Sequence, residues 1–298
     1  MIEVKSASKS FENLKALDDV SLSVQKGSVY GLVGSNGAGK TTLLKLIAGI
    51  YKQDSGDVYI DENEVYENID IKSDIIFMSD DLYFFFQYTI KEMAKFYKRI
   101  YPNWNEERFN NLQKVFNLNI KKRISSLSKG MQRQVAFWLT LSTMPKIMIL
   151  DEPVDGLDPV MRKKVKNLII QDVAERDMTV FISSHNLREL EDICDHIGIL
   201  HKGKMVIQKD LDDLKSNVHK IQVAFDKIPQ DILKDEGILY KEERGSILLL
   251  IVKGNKEEII DKLQKYEPKI LDVLPLTLEE IFIYEMGGIG YEIENIIF

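Results

Sequence analysis

Residues 34–41, Gly34-Ser35-Asn36-Gly37-Ala38-Gly39-Lys40-Thr41, fit the pattern G-x-x-x-x-G-K-[ST]. The spacing has a chemical reason. Glycines let the backbone bend until successive N–H groups face one anion, and a helix starting at that point adds its positive end. Lys40 is then placed to reach the β- and γ-phosphates of a nucleotide, and the Thr41 hydroxyl to bind Mg2+. At average residue frequencies the four fixed positions match by chance in roughly one chain of this length in a hundred. A metal-side carboxylate is the next requirement, and Asp151 and Glu152 supply it at the end of the apolar run Ile147-Met148-Ile149-Leu150. Asp151 is positioned to hold Mg2+ through water, and Glu152 to polarise an attacking water as general base. Alone, two acids at a strand end are an ordinary solvated surface. Beside a phosphate loop they complete a triphosphate-hydrolysing site.

The elements that must position these groups are legible in the same stretches. Val29-Tyr30-Gly31-Leu32-Val33 is a continuous apolar run, as a strand buried on both faces requires, and it leads into the glycine loop. Leu43, Leu44, Leu46 and Ile47 follow at helical spacing. Residues 2–5 and 20–24 alternate apolar and polar, as half-buried strands do. Short strands are expected over 58–78, ending in Ile75-Ile76-Phe77-Met78. The stretch from about 81 to 145 reads mainly helical, with helices at 90–100, 106–116 and 131–143 and a turn at Pro102-Asn103. Then come a buried strand at 147–150, a helix at 160–176, a strand at 179–183 and a short helix at 187–194. A hairpin at 197–200 and 204–207 turns at Lys202-Gly203. Residues 210–217 read as a short helix or linker. Beyond it lie strands at 220–225, 238–241, 247–253 and 270–274 and helices at 255–265 and 277–285, enough for a small α+β domain. No internal repeat or low-complexity segment is present.

Further pieces fall in order along the chain, and with the phosphate loop they resemble the ATPase subunit of ATP-binding cassette (ABC) transporters. Leu127-Ser128-Lys129-Gly130-Met131-Gln132 is similar to the family signature, a variant of Leu-Ser-Gly-Gly-Gln. Gly156-Leu157-Asp158 resembles the D-loop that follows the Walker B carboxylates, and His185 in Ser183-Ser184-His185 sits at the switch-histidine position. Phe11 matches the aromatic that stacks on adenine, and Asp80 lies where the family has the Q-loop glutamine. The resemblance covers about residues 1–210. It implies an α/β P-loop NTPase fold of the ABC-ATPase type over 1–215, with a helical subdomain at about 81–145, and an α+β accessory domain over 216–298.

What the resemblance implies about the site is specific. ATP is bound by Phe11 and by Gly34, Ser35, Asn36, Gly37, Ala38, Gly39, Lys40, Thr41 and Thr42, with Mg2+ at Thr41, Asp151 and Asp80. Lys40, Glu152 and His185 form the catalytic set, and Ser128, Gly130, Gln132 and Asp158 face a second subunit. Each piece alone has a plainer reading: Leu-Ser-Lys-Gly as a helix cap, His185 as a surface residue, Phe11 as a core aromatic. Two positions depart from the family. Met131 stands at the usual signature glutamine, with Gln132 next, and Ser128 and Gly130 keep the phosphate contacts. Asp80 in place of glutamine could meet a metal but cannot donate a hydrogen bond when ionised. Leu278-Glu279-Glu280-Ile281-Phe282 resembles a run that ends some export-type bacterial members.

Composition sets the remaining bounds. The chain has 298 residues, 44% hydrophobic and 29% charged, which fits about two ordinary globular domains and no fibrous or disordered class. Its 40 Lys+Arg against 47 Asp+Glu leave a net charge of −7, which argues against phosphate-backbone binding, so no nucleic-acid partner is expected. The single cysteine, Cys194, allows no internal disulfide and reads as a buried small hydrophobe in a reducing compartment. No apolar run approaches the roughly 20 residues that span a bilayer. The family resemblance implies as partners a separate integral membrane subunit and a second copy or paralogous ATPase, on the cytoplasmic face of the membrane. The aromatic run Leu82, Tyr83, Phe84, Phe85 and Phe86 is either part of that docking surface or core packing. A soluble ABC ATPase of translation or DNA maintenance is the alternative. The former usually carry tandem cassettes and the latter a long coiled coil between phosphate loop and Walker B, whereas here there is one set of motifs, and Lys40 and Asp151 are about 110 positions apart with no sustained heptads.

Overall fold

The computed structural model describes residues 1–226, 229, 231–232 and 237–287, with the side chains of 282, 283 and 285–287 left out. The chain divides into two compact units: Met1–His185 with Ile193–Gln208, and Asn186–Asp192 with the chain from Lys209 onward. The division thus falls at 208/209, ahead of the 215/216 read from the sequence. The short helix at 211–216, capped by Asp210 and buried at Leu211 and Leu214, packs on the strand that follows it.

The first unit opens with β1 (Ile2–Phe11) and β2 (Leu14–Val24), an antiparallel pair longer than the 2–5 and 20–24 legible in sequence. The reason is a break in alternation. The register shifts between Val4 and Ala7, and Ser6 and Asp19 take left-handed backbone angles (φ 48° and 55°). Such bulges end a period-two pattern without ending the strand. Next come β3 (Val29–Val33), α1 (Lys40–Ile47), β4 (Ser55–Ile60), β5 (Asn63–Glu64), α2 (Ile69–Ser73) and β6 (Ile75–Met78). β1, β2, β4 and β5 form one sheet in the order β2-β1-β4-β5.

The helical stretch holds α3 (Ile90–Ile100), α4 (Glu106–Phe116) and α5 (Lys129–Ser142). Their starts are set by capping side chains: Thr89 with Glu92 in a reciprocal capping box, Asn105, and Ser128. α5 is buried around its whole circumference from Arg133 to Ser142, as a central helix must be. Trp138 stacks on Phe109 at 4.7 Å and donates its indole N–H to the Phe109 carbonyl, which fastens α4 to α5. The aromatic run divides. Phe85 packs on Tyr88 and Phe96, while Tyr83 and Phe86 are exposed.

β7 (Ile147–Asp151), α6 (Pro159–Arg176) and β8 (Thr179–Ser184) follow. α7 (Leu187–Leu190), assigned to the second unit, ends well before residue 194. Beyond it the chain must deliver Asp195 to the start of β3, where its carboxylate and its amide both bond Val29. β9 (His196–His201) and β10 (Lys204–Asp210) form the expected hairpin. A 6-stranded sheet results, in the order β10-β9-β3-β8-β7-β6, with β9, β3, β8, β7 and β6 parallel. β3 and β7 are buried at every residue, because layers cover both faces. One core, including Tyr30, Leu43, Leu46, Ile149 and Phe181, joins α1, β1, β2 and the central sheet.

In the second unit the linker stretch is a helix, α8 (Leu211–Ser216), followed by β11 (Val218–Ala224), β12 (Ile238–Arg244), β13 (Ile247–Lys253), α9 (Lys256–Gln264), β14 (Ile270–Leu274) and α10 (Leu278–Gly287). The strands form an antiparallel sheet in the order β12-β13-β11-β14. Ile221, Val223, Leu248, Leu250 and Val252 alternate onto one face and pack with Leu263 of α9. In the terminal run Leu278 and Ile281 are buried, while Glu279 and Glu280 pair with Arg188 and Lys220. The run thus packs within its own unit, with the Phe282 side chain outside the described residues.

Candidate active site

Open parallel sheets gather ligands outside the carboxyl ends of their strands. Three such ends meet here. β3 runs into the glycine loop, β7 ends at Asp151 and β8 at Ser184. Gly39 caps α1 at φ 105°, and a Cβ there would lie 2.5 Å from the Ala16 carbonyl oxygen, so both the angle and the space demand glycine. The loop is braced from outside by the β9–β10 turn. Gly203 N–H donates to the Ala38 carbonyl at 2.9 Å, and Asp18 N–H to the Gly203 carbonyl at 2.8 Å.

The loop borders a cleft of about 490 Å3. All nine residues from the glycine loop except Gly34 line it, together with Phe11, Asp80, Asp151, Glu152 and the Lys202-Gly203 turn. Phe11 borders it, 39% exposed, edge-on to Tyr51 at 5.4 Å and with the Lys9 ammonium over its ring at 5.7 Å.

Charges converge on the floor. Lys40, only 7% exposed, donates to the Gly34 carbonyl at 2.6 Å and lies 3.1 Å from a Glu152 oxygen. The other Glu152 oxygen meets His185 Nδ1 at 3.0 Å and accepts from the His185 backbone N–H at 3.2 Å. Asp151 is 1% exposed. Its carboxylate accepts from the Thr41 hydroxyl and, on its other oxygen, from the Ser183 hydroxyl, both at 2.7 Å. Glu152 itself has a left-handed backbone (φ 46°), with its N–H on Ser183 Oγ at 3.1 Å and its carbonyl on Arg133. Ligand atoms of Glu152, Asp155 and His185 lie within 4.8 Å of one another, where the Lys40 ammonium already supplies the counter-charge.

The remaining sequence-derived residues divide. Ser128 is exposed at the start of α5, capping Met131 N–H, and a Cβ on Gly130 would lie 2.5 Å from the Gly156 carbonyl oxygen. That approach joins the signature stretch to the D-loop. Asp158 caps α6 by accepting from the Val160 and Met161 N–H groups. Gln132 turns inward, its amide on the carbonyls of Ile124 and Leu127, where it braces the turn before α5. Asp80 lines the cleft at 53% exposure, but its carboxylate is held by Arg133. Sequence reasoning missed Arg133, Asp155, the Ser183 hydroxyl and the bracing role of Gly203. Arg133 did carry a signal: a charged residue at the core-facing start of a helix that continues Val135-Ala136-Phe137-Trp138.

A strand, a glycine loop and a helix, with a carboxylate pair at the end of a parallel strand one place removed in the same sheet and a helical insert between, define a P-loop nucleoside-triphosphatase. Comparison with known proteins narrows the class. Residues 17–155 match the sequence profile of the family described as ABC transporter. The chain is 36% identical to the ABC transporter ATP-binding protein YtrB of Bacillus subtilis, over 97% of this chain and 99% of that one. It is 31% identical to the bacitracin transport ATP-binding protein BcrA of Bacillus licheniformis, over 97% and 98%. A solved structure of the ATP-binding subunit of an ABC transporter superposes with a TM-score of 0.66 at 26% identity, over 72% of this chain and 92% of that one. The chain belongs to the ATP-binding proteins of the ABC transporter family and is an ATPase. Among the described residues no helix is long and apolar enough to cross a membrane.

Proposed function

We propose that this chain is the energy-coupling ATPase of an exporter, working as a head-to-tail pair beneath separate membrane-spanning subunits, on the cytoplasmic face. The observation that carries this reading is the Glu152 carboxylate held between Lys40 and His185, beside Thr41 and Asp151. A nucleotide-sensing module has no need of that constellation. Export is supported by the resemblance of the Leu278–Ile281 run and by relatives of matching length, one of them named for bacitracin transport.

The chemistry follows from the geometry. The β- and γ-phosphates settle against the loop N–H groups and the start of α1. Lys40 exchanges its present partners for phosphate oxygens. That exchange frees one Glu152 oxygen, while the other stays fixed by the His185 N–H. Glu152 then accepts a proton from the attacking water as the water oxygen bonds to the γ-phosphorus and the bond to the bridging oxygen breaks, with ADP as the leaving group, and His185 orients the water and the γ-phosphate. The hard oxygen donors Thr41 Oγ1 and Asp151, side by side, suit Mg2+ held partly through water. Held there, Mg2+ would supply neutralisation of the charge on the triphosphate. Ser128, Gly130 and the start of α5 close the site from the second copy. Exposed Tyr83 and Phe86 fit a surface for the membrane subunit.

Two measurements address these roles. Phe11→Ala is expected to weaken ATP affinity about tenfold, the loss of roughly 1–2 kcal/mol of base stacking; unchanged affinity in calorimetry removes the aromatic from the site. Ser128→Arg is expected to abolish ATP-dependent pairing in light scattering while each copy still binds ATP. A pair that persists overturns the head-to-tail arrangement.

A further inference from the structure

Arg133 lies on α5, only 9% exposed, and its guanidinium holds two separate segments at once. Nη1 donates to the Glu152 carbonyl oxygen. Nη2 donates to the Asp80 carbonyl oxygen at 3.0 Å and to its carboxylate at 2.8 Å. The planar fork suits such a bridge, because its donors point in fixed and different directions.

Both ends of the bridge have a physical need for it. Glu152 sits in the left-handed backbone region at φ 46°. A non-glycine residue holds that conformation only when its surroundings over-determine it. The Ser183 hydroxyl fixes its N–H, and Arg133 fixes its carbonyl. At the other end, a bare carboxylate at position 80 would face the charge of a triphosphate in the same cleft. Paired with Arg133, Asp80 brings no net charge there.

We propose that Arg133 is a positioning residue for hydrolysis: it sets the orientation of Glu152 through the peptide carbonyl, and Asp80 is its anchor and not a ligand of the metal. The proposal rests on Glu152 being the base. It has a regulatory corollary. Asp80 opens the loop that carries exposed Tyr83 and Phe86, so one guanidinium joins that loop to the reacting centre. A shift of Asp80 changes how firmly Glu152 is held.

The experiment is a double-mutant cycle on the full chain, read by steady-state ATPase activity over ranges of ATP and Mg2+. Asp80→Asn, at a half-exposed position that does not threaten folding, is expected to lower kcat about tenfold, the scale of coupling between directly bonded residues. KM for ATP should not rise, since the unpaired guanidinium left beside the cleft favours the triphosphate, and the Mg2+ requirement should stay as in the parent protein. Arg133→Lys keeps the charge but loses the fork, and should lower kcat similarly. The double variant should fall no further than the weaker single variant. A parental kcat in Asp80→Asn, additive losses in the double variant, or a raised Mg2+ requirement in Asp80→Asn would each overturn the proposal. If Glu152→Gln hydrolysed ATP normally, the assignment of the base would fail. The cycle would still report whether positions 80 and 133 act as a unit.

Discussion

Glu152→Gln is expected to slow ATP hydrolysis by about 10²–10³-fold, within the range general-base removal produces, while ATP stays bound. The amide is nearly the same size and can still accept from the His185 N–H. It cannot take the proton from water. In the proposed site binding relies on other groups, namely the loop amides, Lys40 and Phe11, so calorimetric affinity should hold. Loss of the carboxylate also removes the present ion pair with Lys40, which leaves the ammonium freer for phosphate. ATP-bound pairs should therefore accumulate and be visible in scattering. Parental turnover in this variant would move the base elsewhere in the cleft.

Lys40→Ala is expected to weaken ATP binding by about 10²-fold, in line with the 2–5 kcal/mol that follows truncation of one partner in a buried charge pair. Lys40 is the buried cation of the phosphate loop, and its loss leaves the Gly34 carbonyl and a Glu152 oxygen without their partner. Two acids, Asp151 and Glu152, would then face the triphosphate with less compensation. Titration of a fluorescent ATP analogue measures this directly. Affinity equal to the parent would contradict the assignment of the loop.

The phosphate loop, the carboxylates of β7 and the helices at 90–100 and 106–116 were legible because each is written locally. Glycine spacing, a continuous apolar run and caps such as Thr89 and Asn105 all lie within a few residues of what they control. The rest is written at long range. Arg133 meets its partner at a separation of 53 residues and Ser183 meets Asp151 at 32, and no periodicity announces either pair. The bulges at Ser6 and Asp19 hid more than half of each opening strand, because a single residue out of phase erases the alternation that marks a strand. Gln132 is a residue the motif draws toward a second subunit, while in the single copy its amide is bonded to the carbonyls of Ile124 and Leu127.

The left-handed turn at Glu152 carries an evolutionary consequence. Glycine or asparagine would occupy that conformation with less strain, by about 1 kcal/mol or more. Thermal robustness and turnover therefore pull this position in opposite directions. With Glu152 as the proposed base, a lineage screened only for how well the protein survives heat is expected to drift toward a sturdier, idle descendant.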